Sequence, residues 1–443
     1  MNILKIFFLI LVFVIGANAN IFETISNITI DVQKKIDFLK RTKDTVQFVI
    51  KTTFDTGSTA AKDIVKEVFD SSKIPPRIPV PSLIKETGYP VESHFVTTLD
   101  GYILNIHRIP HGKTEKRKNA VVYLQHGIMC ASSDWVLFGE KHGLAYILAD
   151  QGYDVWMGNT RGNFYSRNHT TWNPDKDAEY WQFSWNEMGI YDLPSMIDYA
   201  LNITGKQNLY YIGHSQGNTA FYVMASEKPE YNKKIKLHVS LAPVAYLKNT
   251  VSPLLKLLSH VHSPLANLME LAGKNEFLPE NGLTSKLTNK ICGENIGKVL
   301  CKNILFIMVG FNPKQLDVSN LGLILAHYPA GAATKQIIHY QQETISDRFC
   351  KYDFGEIKNY QLYNQSHPLP YDLSKISAPV VLIYSHNDWL THKMDVNRLS
   401  RELGNLKEIY LVPDSNWNHL DFIFANDSPK IIYKKVVDLL ENS

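Results

Sequence analysis

Apolar residues along this chain follow two rhythms. Between residues 20 and 56, Ile25, Ile28, Val32, Ile36, Leu39, Val46 and Val49 recur at the spacing of an amphipathic helix. Gly57 breaks that pattern, and a shorter helical stretch follows with Ile64, Val65, Val68 and Phe69. The run Pro75-Pro76-Arg77-Ile78-Pro79-Val80-Pro81 then predicts a linker from which helix is excluded.

Beyond the prolines the rhythm changes. Phe95 to Thr98 and Tyr102 to Arg108 flank Leu99-Asp100-Gly101, which predicts a β-hairpin. Short apolar runs follow at 120–124, 153–157, 208–213, 237–241, 380–385 and 409–412, with helical patterns at 191–201 and 219–226. Buried strands alternating with helices predict an α/β fold, with a mostly parallel sheet covered by helices on both faces. From about Tyr246 to Tyr371 the strand rhythm stops. The runs Leu254-Leu255-Lys256-Leu257-Leu258, Leu265 to Leu271 and Leu300 to Val309 read as helices, which predicts an inserted helical cap. The expected organisation is a leader at 1–19, a helical extension at 20–75, a core at 76–245, a cap with a lid at 246–371 and the rest of the core at 372–443.

The leader follows from Lys5, the apolar run Ile6 to Ile15 and the small-residue site Ala17-Asn18-Ala19, which together predict a secretory signal peptide cleaved after Ala19. Ten apolar residues are too few to cross hydrocarbon, which takes about 20. Sequons at Asn27, Asn168, Asn202, Asn364 and Asn426 fit a chain that meets the glycosylation machinery, the last weakened by Pro429 after Ser428. The destination expected is secretion or the lysosome. A net charge of +3 over 443 residues gives no reason to expect nucleic acid as a partner. Residues 21–74 nearly balance acidic and basic side chains, which removes the case for a polybasic membrane arm.

Four cysteines do not make a disulfide scaffold at this length. Cys292 and Cys301 lie close together among polar residues and glycines, a spacing compatible with a local bridge, while Cys130 and Cys350 are open between free thiols and a second bridge. No H-E-x-x-H, C-x-x-C or dinucleotide glycine pattern is present, so neither a metal nor an organic cofactor is implied.

The chemistry centres on Gly213-His214-Ser215-Gln216-Gly217. Leu209 to Ile212 before it reads as a strand and Asn218 to Ser226 after it as a helix, the strand–turn–helix context that makes G-x-S-x-G a nucleophile elbow. A serine hydroxyl needs a base and an orienting acid, in the chain order Ser, Asp/Glu, His. Asp388 follows the strand 380–385, on the sheet edge where such folds place their sites, with Asp395 and Asp414 as rivals. His419 follows the strand 409–412, with His386 and His392 as runners-up. The tetrahedral intermediate also needs backbone donors, expected from Gln216 and from Ile128 in the loop after Leu124-Gln125-His126-Gly127. His126 reads as a support of that loop.

Several of these stretches together resemble the gastric and lysosomal acid lipases: Leu124-Gln125-His126-Gly127, Gly158-Asn159-Thr160-Arg161-Gly162, the elbow, His327-Tyr328-Pro329-Ala330-Gly331 and Asn418-His419-Leu420-Asp421-Phe422. The likeness runs in order from about residue 79 to 443. It implies an α/β-hydrolase core with a lidded helical cap, and hydrolysis of acylglycerols or sterol esters; the partner expected is a neutral lipid at a lipid–water interface. It also implies the triad Ser215, Asp388 and His419, the donors Ile128 and Gln216, and a Cys292–Cys301 cap disulfide. The chain departs from the family in its long segment 20–75 and in Trp389-Leu390-Thr391-His392 after the acid. Alternatives to a lipase are a carboxylesterase for small soluble esters, an acyltransferase, and a non-catalytic lipid-binding protein on the same scaffold.

Overall fold

A computed structural model of the chain describes residues 76–252, 255–256, 275–277, 309–310, 312, 314–316 and 320–443. The expected leader, the helical pattern of 20–75, Asn27, Cys292, Cys301 and most of the leucine-rich runs between 254 and 308 lie outside the described residues.

The predicted hairpin is β1 (Glu92–Thr97) with β2 (Ile103–Ile109). The remaining strands are β3 (Val121–Gln125), β4 (Asp154–Gly158), β5 (Leu209–His214), β6 (Ile235–Leu241), β7 (Val380–Tyr384) and β8 (Leu406–Leu411). They form one eight-stranded sheet in the order β1-β2-β4-β3-β5-β6-β7-β8. β2 runs antiparallel to β1 and β4, and every pairing from β4 to β8 is parallel.

Alternate residues of each central strand feed opposite cores, because successive side chains of a strand point to opposite faces. Val121, Tyr123 and Tyr211 join one apolar cluster; Val122, Leu124, Tyr210 and Ile212 join the other. Helices cover both faces, so β3 and β5 are buried at every position, while the edge strands β1 and β8 alternate between half-buried and exposed. One face packs α3 (Leu193–Thr204), α4 (Gln216–Glu227) and α8 (Lys393–Glu402). The other packs α1 (Val80–Glu86), α2 (Leu144–Asp150) and α9 (Lys434–Glu441).

Helix α1 corrects the reading of the proline run. Pro79 caps it and Pro81 stands in its first turn, where a missing N–H breaks no helical hydrogen bond. Val80 and Ile84, one turn apart, bury themselves against the core. The prolines therefore start a helix.

Between β6 and β7 the described residues contain α5 (Leu321–His327), α6 (Thr334–Ser346) and α7 (Glu356–Tyr363), and no strand longer than an isolated bridge. Helix α6 lies against the start of α4, with the Tyr340 hydroxyl donating to Thr219 Oγ1 at 3.0 Å. His339 stacks on Trp185 at 3.7 Å between ring centroids.

Candidate active site

Four parallel strands deliver the site from their C-terminal ends. β5 ends at His214, and Ser215 follows with φ 51° and ψ −118°. A non-glycine residue in that half of conformational space costs about 1–3 kcal/mol and persists only where its surroundings hold it. The Ser215 N–H donates to the Leu241 carbonyl on β6 at 3.1 Å, and α4 begins at the next residue. Gly217 allows this helix start to press on the end of β3: a Cβ there would lie 2.4 Å from the Gln125 carbonyl oxygen.

Asp388 stands in the loop after β7 and His419 in the loop after β8. His419 Nε2 is 2.8 Å from Ser215 Oγ, and His419 Nδ1 is 2.8 Å from Asp388 Oδ2. Asp388 Oδ1 accepts the backbone N–H groups of Leu390 and Thr391, each at 2.9 Å, and its Oδ2 accepts from the Thr391 hydroxyl. Burial pushes this carboxyl up, but the charge and hydrogen bond of His419, with the Thr391 bonds, outweigh it and hold Asp388 below its ordinary value. An ionised Asp388 accepts from Nδ1–H, which leaves Nε2 to accept the Ser215 hydroxyl proton.

The imidazole of His419 is also fixed through its own backbone. Its N–H donates to the Val309 carbonyl at 3.2 Å, and its carbonyl accepts from His214 Nε2 at 3.0 Å. Burial lowers the His214 pKa to about 3, so this partner stays neutral. The rivals lie elsewhere. Asp395 accepts from the backbone and side-chain amides of Asn249 at 2.9 and 2.7 Å, and Asp414 from the Asn416 N–H at 2.9 Å. His386 is exposed, and His392 caps α8 by accepting from the Met394 N–H at 3.3 Å.

The loop after β3 abuts the serine. A Cβ on Gly127 would lie 3.1 Å from Ser215 Cβ, so Ile128 begins directly beside the elbow. Gln216, the first residue of α4, is buried. His126 braces the loop: its Nδ1 bonds the Gly127 carbonyl at 2.7 Å, and its Nε2 receives the Thr160 N–H at 3.2 Å and lies 3.1 Å from Asn163 Nδ2. Burial lowers its pKa to about 4, which keeps it a neutral brace. The next loop, after β4, is locked by Arg161, whose guanidinium is buried and bridges Asp192 at 2.7 Å and Asp100 at 2.6 Å.

Cys130 and Cys350 are both buried free thiols. The sequon asparagines Asn168, Asn202, Asn364 and Asn426 are all exposed. Among the described residues no cluster of three or more His, Cys, Asp or Glu side chains is placed to hold a metal ion, and no helix is long and apolar enough to cross a membrane. Sequence reasoning missed Thr391 and Gln336. Thr391 gives no signal beyond standing three residues after an acid, and Gln336 reaches Gln216 only through tertiary packing, its Nε2 donating to Gln216 Oε1 at 3.1 Å.

Two family models match the sequence: a partial α/β-hydrolase lipase region over residues 80–139 and the α/β-hydrolase fold over residues 120–426. Lipase 3 of Drosophila melanogaster is 44% identical over 362 residues, 81% of this chain and 92% of the relative. Human lysosomal acid lipase/cholesteryl ester hydrolase is 40% identical over 82% of this chain and 90% of the relative. Gastric triacylglycerol lipase of Rattus norvegicus is 40% identical over 82% of this chain and 91% of the relative. The chain belongs to the lipase family of the α/β-hydrolase fold, and it is a carboxylic ester hydrolase.

Proposed function

We propose that Ser215, His419 and Asp388 hydrolyse esters of neutral lipids, triacylglycerols or sterol esters, through an acyl-enzyme on Ser215. The observation that carries this reading is the single imidazole of His419, 2.8 Å from the serine oxygen on one side and 2.8 Å from a carboxylate on the other. Ser215 Oγ attacks the ester carbonyl as its proton passes to His419 Nε2. The new oxyanion takes hydrogen bonds from the N–H groups of Ile128 and Gln216, near the positive end of α4. His419 then returns the proton to the departing alkoxide, releasing the glyceride or sterol alcohol. Water repeats the sequence on the acyl-enzyme and frees the fatty acid. Asp388 stabilises the imidazolium in both halves without taking its proton.

The relatives' names, lysosomal acid lipase/cholesteryl ester hydrolase and gastric triacylglycerol lipase, support a neutral-lipid substrate met at a lipid–water interface. Residues 76–245 and 372–443 form the catalytic core in this reading. Residues 246–371 form the cap, with a lid and a Cys292–Cys301 bridge. The leader pattern and exposed sequons support a glycoprotein of the secretory pathway, secreted or lysosomal. The test is a panel of triacylglycerol, cholesteryl ester and short soluble esters assayed from acid to neutral pH. Hydrolysis of both long-chain classes supports the reading, and turnover confined to the short esters replaces it with a carboxylesterase.

A further inference from the structure

The segment Tyr328–Gln336 touches the neighbours of both oxyanion donors. We infer that it is the positioning element of the oxyanion hole and that Arg77 clasps it in place, a conclusion that rests on Ile128 and Gln216 being those donors.

On the first flank, Met129 directly follows Ile128 and holds φ 57°, a left-handed conformation that residues carrying a Cβ seldom adopt unless something holds them. What holds it is the Ala330 N–H, which donates to the Met129 carbonyl at 2.7 Å. The Ala330 carbonyl in turn accepts the Phe164 N–H at 2.7 Å, so Ala330 is gripped on both sides. Two residues earlier, the Tyr328 hydroxyl donates to Asp134 Oδ1, in the turn that continues the Ile128 loop. On the second flank, Gln336 Nε2 donates to Gln216 Oε1 at 3.1 Å, while Gln336 Oε1 accepts the Ala333 N–H at 2.6 Å. One stretch of chain therefore braces the residue after one donor and the side chain of the other.

Arg77 secures the start of that stretch. Its Nε donates to the Ala326 carbonyl at 3.0 Å, and its Nη2 donates to the carbonyls of His327 and Pro329, both at 3.1 Å. The first two carbonyls belong to the last turn of α5, where backbone acceptors lack helical partners and a cation is favoured. The same guanidinium lies 4.3 Å from the centroid of the Phe164 ring, beside the loop that receives Ala330. Arg77 precedes the first strand, and it shares no element with the triad, the β3 loop or α4. Its side-chain hydrogen bonds described above run to the end of α5 and to Pro329 in the strap, and its guanidinium rests on the ring that flanks the strap.

Hydrogen bonds to a developing oxyanion are sensitive to placement, and outright loss of one donor costs about 10²–10³ in kcat. Loosening the strap should therefore cost about tenfold in kcat and leave KM within about twofold, because the ground-state ester does not depend on these bonds. The experiment uses the full chain and a soluble short-chain p-nitrophenyl ester, with thermal melting recorded for each variant. Arg77→Met and Gln336→Met should each lower kcat at nearly constant KM, and Arg77→Lys should restore part of the Arg77→Met loss. Should Arg77→Met fail to fold, Gln336→Met and Arg77→Lys carry the comparison. Wild-type kcat in the folded variants, or a loss confined to KM, overturns the clasp. Ser215→Ala runs in parallel: if it is inert while the strap variants match wild type, the clasp alone is refuted. If Ser215→Ala retains turnover, the underlying assignment falls and the clasp with it.

Discussion

The Thr391 hydroxyl donates to Oδ2 of Asp388, the same carboxylate oxygen that meets His419 Nδ1 at 2.8 Å. This bond favours the ionised carboxyl, so Thr391→Val should raise the Asp388 pKa. The acid limb of the kcat/KM profile should then move to higher pH, with a loss that grows as the medium becomes more acidic. A pH–rate profile of the variant superimposing on that of the wild type would show that Thr391 does not tune the triad.

Two acids that look alike in the sequence should separate sharply in assay. Asp388→Asn removes the charge that steadies the imidazolium and should lower kcat by about 10⁴. Asp395→Asn should leave kcat nearly intact and lower the melting temperature, because the Asp395 carboxylate accepts from the backbone and side-chain amides of Asn249, away from His419. Steady-state kinetics and melting curves on both variants test this. A severe kinetic defect in Asp395→Asn beside a mild one in Asp388→Asn would reverse the assignment.

Asp421 makes stability depend on pH. Burial raises its carboxyl to about 7, against the pull of the Asn418 N–H and the Asn312 amide, each 2.8 Å from Oδ2. The charges of Asp414 and Asp388 push the same way as burial. A carboxyl raised in the folded state stabilises it fully below the unfolded value of about 3.9. That contribution is lost as pH rises through about 7. Asp421→Asn mimics the protonated form, so its melting temperature relative to wild type should climb between pH 5 and pH 8. A difference that is flat or falls over that range contradicts the argument.

Long acyl chains call for an apolar trough, and each further buried CH₂ is worth about 0.8 kcal/mol. Activity should therefore rise steeply when substrate passes from dissolved monomer to emulsion. If Cys292 and Cys301 pin one end of the lid, reduction should blunt that rise more than it lowers turnover of a short soluble ester. The comparison needs only rates against concentration across the solubility limit, with and without reductant. A smooth curve with no jump favours the carboxylesterase.

Much of the fold is legible because buried parallel strands write themselves as unbroken apolar runs: Val121 to Leu124 and Leu209 to Ile212 could be little else. The edge strand β8 was legible only in its second half, since the adjacent charges Lys407 and Glu408 interrupt the apolar run on a half-exposed edge. Helix α1 was hidden because four prolines read as helix breakers, and only the cap geometry at Pro79 shows that the last two of them open a helix. Ser215, Asp388 and His419 were picked out by the elbow motif and by strand ends, but His386 and Asp414 follow the same strand ends, and only the distances separate them. What could not be read were contacts made by residues of ordinary type across long stretches of chain, such as Arg77 with Pro329 and Gln336 with Gln216. No local pattern marks them.

The central claim is that Ser215 forms the covalent intermediate. The most direct measurement is to trap it with an alkyl p-nitrophenyl phosphonate, which places a tetrahedral phosphorus on the attacking oxygen and expels p-nitrophenolate. Intact mass and peptide mapping should find one adduct, on the peptide carrying Ser215, formed in step with loss of esterase activity and missing from Ser215→Ala. An adduct on another residue that tracks inactivation, or full inactivation of ester hydrolysis with Ser215 unmodified, would contradict the account.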